Sequence, residues 1–229
     1  MGANSRYKDS VFSLLFARPD VLRELYSAIA GIPLDPDIPI EINTLQDAVF
    51  KGKINDISFS IGTRLVVLIE HQSTINPNMP VRLLMYIARV YEKLLKKRNI
   101  YSSKRIRFPC PEFIVLYNGI APYPDRQTLR LSESFEDTAA VGIPAGSPVL
   151  ELLVKVYNIN QGHNEAIVKK SETLAGYSAF IAKIREYGQS MSLEEAMKAA
   201  VGYCIRHDIL RAFLEENASE VTNMLLNEW

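Results

Sequence analysis

The stretch Asn55-Asp56-Ile57-Ser58-Phe59-Ser60-Ile61-Gly62-Thr63-Arg64-Leu65-Val66-Val67-Leu68-Ile69-Glu70-His71-Gln72 decides the fold of this chain. From Asp56 to Ile61 the residues alternate, with Ile57, Phe59 and Ile61 on one face and Asp56, Ser58 and Ser60 on the other. That is the period of a half-buried strand. From Leu65 to Ile69 every residue is apolar, as in a central strand covered on both faces. Gly62 marks the turn between them. One carboxylate enters with the first strand and a second closes the next.

Register decides what this pair of strands can do. A two-residue loop, Gly62-Thr63, pairs Ile61 with Arg64 and sets Asp56 opposite Ile69, with Glu70 on the other face. Pairing Ile61 with Leu65 sets Asp56 across from Glu70 on one face. The second register, or a bulge with the same effect, is the expectation here. Gln72 then shares the face of Glu70 if the strand persists, and His71 points away.

Working outward, Tyr7 to about Ala30 reads as a helix, with Val11, Leu14, Leu15, Leu22, Leu25, Tyr26 and Ile29 at helical spacing. Pro19 is a point at which it splits in two, and Gly31-Ile32-Pro33 ends it. Residues 34–39 read as loop. An extended segment from about Glu41 to Phe50 precedes the two strands, the first of which starts near Lys53. Asn76 to Pro80 is a turn and helix start, and that helix runs to about Lys97. Leu84, Ile87, Tyr91 and Leu94 form its expected buried stripe; Arg82, Tyr86, Arg89, Lys93 and Lys96 form another. A strand, Glu112 to Tyr117, ends at Asn118-Gly119. Ala121 to Pro148 is mostly loop, and Leu150 to Tyr157 is a strand or a short helix. From Asn164 the chain reads as helical. Ser192 and Glu195 form a capping box there, and Leu210, Phe213, Leu214, Val221, Met224 and Leu225 supply a further apolar face. The sum is an α/β fold, with a core of residues 7–160 and a helical C-terminal subdomain, residues 161–229, packed on it.

The chain has 229 residues, 48% hydrophobic and 23% charged, an ordinary soluble composition. No apolar run reaches the length of a membrane span, so no membrane partner is expected. The start has no apolar signal region, and Arg6 departs from the myristoylation pattern. Cys110 and Cys204 match no zinc spacing; two free or buried thiols suit a cytoplasmic location. Net charge is zero, but residues 82–107 carry nine basic residues, Arg82, Arg89, Lys93, Lys96, Lys97, Arg98, Lys104, Arg105 and Arg107, against one acid, Glu92.

Two readings of Asp56 and Glu70 are open. Their oxygens suit a hard divalent ion, Mg²⁺ or Mn²⁺, or they line a solvated strand edge. The basic stripe either lies along DNA phosphates, with Tyr86, Tyr91 and Tyr101 stacking on bases, or is a solvated helix face; the charge imbalance favours DNA. His71 reads as structural, His163 as part of a turn, and His207 as a helix junction. There is no nucleophile elbow, no Gly-Lys phosphate loop and no dinucleotide fingerprint.

The set Asn55-Asp56 … Glu70-His71-Gln72-Ser73, followed by Met79-Pro80-x-Arg82-Leu83-Leu84-x-Tyr86, resembles the PD-(D/E)xK nuclease superfamily, and within it the recombination-promoting nuclease / putative transposase family. Three more segments carry the resemblance: Lys8 to Phe16, Pro111 to Gly119, and Glu151 to Asn158. The resemblance implies a restriction-endonuclease-like core of helix, three strands, helix, strand. It implies a metal-dependent endodeoxyribonuclease linked to DNA recombination or mobile elements, giving 5′-phosphate and 3′-hydroxyl ends. Asp56 and Glu70 become metal ligands, and Gln72 stands where the superfamily usually has Lys. Gln hydrogen-bonds water or phosphate but brings no charge, so an auxiliary group is wanted. Lys53 and Arg82 are candidates for that cation, and Asp9 or Glu24 for an extra acid. The DNA-contacting set is Arg82, Tyr86, Arg89, Lys93, Lys96 and Lys97. A homodimer suits double-strand cleavage. The alternative is a weak or inactive nuclease-fold module that binds DNA or a protein. Family members often continue into a charged tail, so the end at Asn227-Glu228-Trp229 reads as a truncation.

Overall fold

A computed structural model of the chain describes residues 11–42, 56–70, 76–136 and 149–228; the side chains of residues 56, 66–70 and 222–228 fall outside that description. The N-terminal helix is split, as expected, into α1 (Val11–Leu15) and α2 (Pro19–Ala30). Pro19 occupies the first turn of α2, where its missing N–H is not needed. Gly31 ends the helix at φ 75°, a left-handed value that glycine tolerates.

Three strands follow: β1 (Ile40–Ile42), β2 (Asp56–Ile61) and β3 (Arg64–Glu70). The rest of the expected first strand, residues 43–50, lies outside the described residues, as do Lys53, His71 and Gln72. Helix α3 (Met79–Leu95) leads to β4 (Cys110–Tyr117). Then come β5 (Arg126–Arg130), a short 3-10 turn, and β6 (Leu153–Asn158). Strand β5 falls inside the expected loop. Only Leu129 of its five residues is buried, so an edge strand there shows no alternation to read. Residues 153–158 take the strand option. Four helices close the described chain: α4 (Glu165–Val168), α5 (Glu172–Tyr187), α6 (Leu193–Arg206) and α7 (Arg211–Glu228). The Ser192–Glu195 capping box at the start of α6 is formed in both directions.

The six strands make one mixed sheet in the order β1-β2-β3-β4-β6-β5. Strands β1, β2 and β3 are antiparallel; β3, β4 and β6 run parallel; β5 returns antiparallel to β6. Helices cover both faces. On one, Ile57, Phe59, Ile61, Ile114 and Leu116 pack with α1, α2, α5, α6 and α7. On the other, Leu65, Phe113, Val115, Tyr117, Val154 and Val156 pack with α3. Residues before and after position 160 thus share the first of these cores.

The register corrects the expectation. Ile61 pairs with Arg64, and Asp56 pairs with Ile69. Gly62, at φ 56°, is the reason. A positive φ at the first central residue gives the two-residue hairpin turn that matches strand twist, so no third loop residue is needed. A disulfide tests this register. In a background of Cys110→Ser and Cys204→Ala, cysteines at 58 and 67 should crosslink on oxidation, because paired Cα atoms lie about 4.5–5.5 Å apart. Cysteines at 58 and 68 should not, since adjacent rows face opposite ways. Mass spectrometry of the oxidised pairs reads the result, and crosslinking of the second pair alone would restore the other register.

Helix α3 also turns differently from expectation. Its buried residues are Met79, Pro80, Leu83, Tyr86, Ile87 and Val90, with Leu84 and Tyr91 partly covered. Leu94, expected inside, is exposed. Two apolar rows at spacings of three and four run side by side on this helix, and the sheet beneath selects one of them.

A polar cluster ties α2 to the other end of the sheet. Glu112 accepts hydrogen bonds from Tyr26 Oη and from Lys155 Nζ at 2.7 Å, with Arg64 Nη1 at 3.4 Å. Burial raises the Glu112 pKa; the hydrogen bonds of Lys155 and Tyr26 outweigh it and leave the carboxyl below its ordinary range. Its folded value is therefore depressed, so its stabilisation is present above the ordinary carboxylate pKa and is lost as pH falls through the folded value. Glu112→Gln should lower stability at neutral pH and flatten the acid limb. Urea melts of both proteins across the acid range measure this, and parallel limbs would refute it.

Candidate functional site

Strand β2 begins where β3 ends, and β4 and β6 end there too. This edge gathers Asp56, Glu70, Asn118 and Asn158, together with the start of α3. Open α/β sheets take their ligands at such carboxyl ends.

Asp56 is the first residue of β2 and Glu70 the last of β3. The hairpin brings both to one end, but in adjacent rows. Asp56 pairs with Ile69, which aligns with Val115 on the α3 side of the sheet. Glu70 aligns with Leu116, whose side chain lies in the core beneath α5. The expected facing of positions 56 and 70 is thus not the pairing of the ladder. Among the described residues, no group of three or more His, Cys, Asp or Glu side chains could hold a metal ion. Asp9, Lys53 and Gln72 lie outside the described residues.

Glu24 is engaged elsewhere. Its carboxylate accepts from the backbone N–H of Thr173 at 3.3 Å and from Thr173 Oγ1 at 3.4 Å, in the first turn of α5. An acid there meets the positive end of the helix and its spare N–H groups. Arg82, in the first turns of α3, lies at the candidate edge; its Nη1 is 3.4 Å from Met79 Sδ.

The basic residues divide. Lys93 lies about 16 Å further along the helix axis than Arg82, and Lys96 and Lys97 sit just past the helix end. Tyr91 Oη donates to Pro109 O at 2.8 Å, which fixes that end of α3 beside the start of β4. The lysines therefore stand at the edge of the sheet opposite Asp56 and Glu70. They are exposed, as are Lys104, Arg105 and Arg107. None of these six forms an ion pair among the described residues. Tyr86 is corrected outright. It is 4% exposed in the α3 core and cannot stack on a base. Tyr91 is half-buried, with burial pushing its pKa up to about 12, and its ring meets Phe108 edge-on at 4.7 Å. Tyr101 is the most exposed aromatic of this region among the described residues, at 93%, with Phe108 at 51%.

A second group at the carboxyl edge has no mark in the sequence. Arg185, near the end of α5, donates through Nη1 to Asn160 Oδ1 at 2.6 Å and through Nη2 to Asn118 O. Asn160 donates through Nδ2 to Gly119 O at 3.0 Å and to Asn158 Oδ1 at 2.9 Å. Asn158 Nδ2 reaches Tyr123 O at 2.9 Å. Burial lowers the Arg185 pKa, with the Tyr117 phenol acting against it. Asn118 is 1% exposed, and its Nδ2 has no hydrogen-bond partner among the described residues. Scattered asparagines and one helical arginine give no spacing to recognise; only the fold gathers them.

Residues 37–198 match the family model described as Putative transposase, YhgA-like. No curated protein and no solved structure matches the chain. Among the described residues, no helix is long and apolar enough to cross a membrane.

Proposed function

The chain belongs to the YhgA-like putative transposase family, and from that premise we propose that it is a metal-dependent DNA endonuclease acting in mobile-element biology. The observation that carries the reading is the hairpin end. One acidic position opens β2 and another closes β3, beside the start of a helix whose far end is strongly basic. Asp56 and Glu70, which the ladder sets in adjacent rows, would meet on one Mg²⁺ or Mn²⁺ only by turning toward each other at the strand ends, where β2 begins and β3 stops. Two carboxylates, with no thiol or imidazole among them, suit a hard cation. Such an ion, when bound, makes water a better nucleophile and neutralises charge on the scissile phosphate. Gln72 would hydrogen-bond that water or a phosphate oxygen. Helix α3 would lie along the backbone, since about 16 Å of duplex is about five base pairs. Hydrolysis would leave 5′-phosphate and 3′-hydroxyl ends, and a homodimer would bring two sites to one duplex.

The pairing of Asp56 with Ile69 favours a second reading, a module that binds DNA without cutting it. The two separate in one assay. Supercoiled plasmid is incubated with the protein and Mg²⁺ or Mn²⁺, and again with EDTA. Metal-dependent nicking supports the enzyme. Salt-sensitive binding with no nicking in either metal supports the module.

A further inference from the structure

Arg126 opens β5 at the carboxyl edge of the sheet, and nothing in the function above uses it. It pairs with Tyr157, Tyr157 with Leu116, and Leu116 with Glu70. Three strand spacings therefore separate Arg126 from Glu70, about 14 Å. It stands at the same edge as the candidate ligands, yet too far away to touch a group bound between them. Arg126 is exposed, so a large ligand can reach it.

An exposed arginine is ordinarily loose and loses side-chain entropy when it binds. This one is held. Its Nε donates to Asn164 Oδ1 at 3.2 Å, and its guanidinium carbon lies 5.7 Å from the centre of the Tyr157 ring. Asn164 is itself fixed. It is buried, takes a left-handed φ of 42°, and donates through Nδ2 to Asn158 O at 2.9 Å and to Asp125 O. Asparagine tolerates that backbone better than most side chains. The acid next in sequence, Asp125, is taken by His163, whose Nδ1 lies 2.6 Å from its Oδ1. Arg126 forms no ion pair among the described residues. A clip between β5 and Asn164 needs one donor and no charge. The charge and the two terminal nitrogens are left over, and they make a fork that fits two oxygens of one phosphate.

We propose that Arg126 is a pre-aimed contact for a backbone phosphate of bound DNA, at the carboxyl edge of the sheet. The contact takes its ligand, DNA, from the function proposed above. Its distance from Glu70 assigns it to binding and not to chemistry: it holds a phosphate other than the one cleaved. Asn164 and Tyr157 act through Arg126, as positioning residues.

Arg126→Gln tests it in the whole chain. Glutamine still donates to Asn164 but brings no charge. Duplex binding in EDTA should weaken by about tenfold, the worth of one charge-assisted hydrogen bond. The plot of log affinity against log salt should flatten by about 0.9, one phosphate's share. Arg126→Lys keeps the charge and loses the fork, so the slope should return while affinity recovers only in part. A purely structural Arg126 would lower the melting temperature and leave the slope alone. Near-UV circular dichroism checks folding, and an unaltered slope in folded Arg126→Gln overturns the proposal. If that variant fails to fold, Arg126→Lys decides: affinity equal to that of the unmodified protein overturns the proposal, and weaker affinity at the same slope supports it. Plasmid nicking by the unmodified protein separates the two levels. Nicking with an unaltered Arg126→Gln slope removes this contact and keeps the enzyme. Absent nicking with a flattened Arg126→Gln slope removes the enzyme and keeps the contact.

Discussion

Asp56→Ala is expected to lower metal-dependent plasmid nicking by roughly a thousandfold, about 4 kcal/mol of transition-state stabilisation. The size follows from the role. One of the two carboxylates proposed to hold the ion is removed, and the charge that develops on the phosphate would then lack its counter-charge. Binding to DNA in EDTA should change little or tighten, because a negative charge has left the interface. That combination, lost cleavage with kept affinity, distinguishes a ligand from a general folding defect. Asp56 is the first residue of β2 and pairs with Ile69 on β3, and a change at the opening position of a strand leaves the ladder from Ile57 to Ile61 in place, so the strand should survive it. Nicking retained in the variant would remove Asp56 from the chemistry.

Reversing Lys93, Lys96 and Lys97 to Glu should weaken duplex binding by several hundredfold at low salt. Each lysine is exposed at or just beyond the end of α3, and none is held by an acid among the described residues. If each meets one phosphate, the salt slope falls by about 2.7. Stability should fall by no more than about 1 kcal/mol, from lost attraction to the carboxyl end of the helix. Cleavage of whatever DNA remains bound should continue, because the lysines stand at the opposite edge of the sheet from Asp56. A titration across salt concentrations by fluorescence anisotropy measures the slope. An unaltered slope would make this face a solvated surface and move the DNA elsewhere.

Much of the fold is written locally. The alternation of Ile57, Phe59 and Ile61, the apolar run from Leu65 to Ile69, and Gly62 between them specify a hairpin through period and turn chemistry alone. Pro19, Gly31 and the Ser192–Glu195 box mark helix ends because they act on neighbouring backbone groups. The order helix, three strands, helix, strand follows from such signals. Strand β5 escapes them, since a polar edge strand is defined by its partner rather than by its own residues.

The sites divide along the same line. The sequence by itself determined that two acids flank a hairpin and that a cationic stretch follows, since composition and spacing are one-dimensional quantities. Tertiary structure alone decided the faces: a single-residue difference in pairing moves Asp56 to the row of Ile69, and packing against the sheet draws Tyr86 inward and leaves Leu94 out. It also decided separation, carrying the lysines a helix length from the acids while bringing Asn118 to Arg185 across 67 positions of chain. Period fixes which residues travel together along an element. Which way that element faces, and what it meets, depends on contacts that no single segment contains.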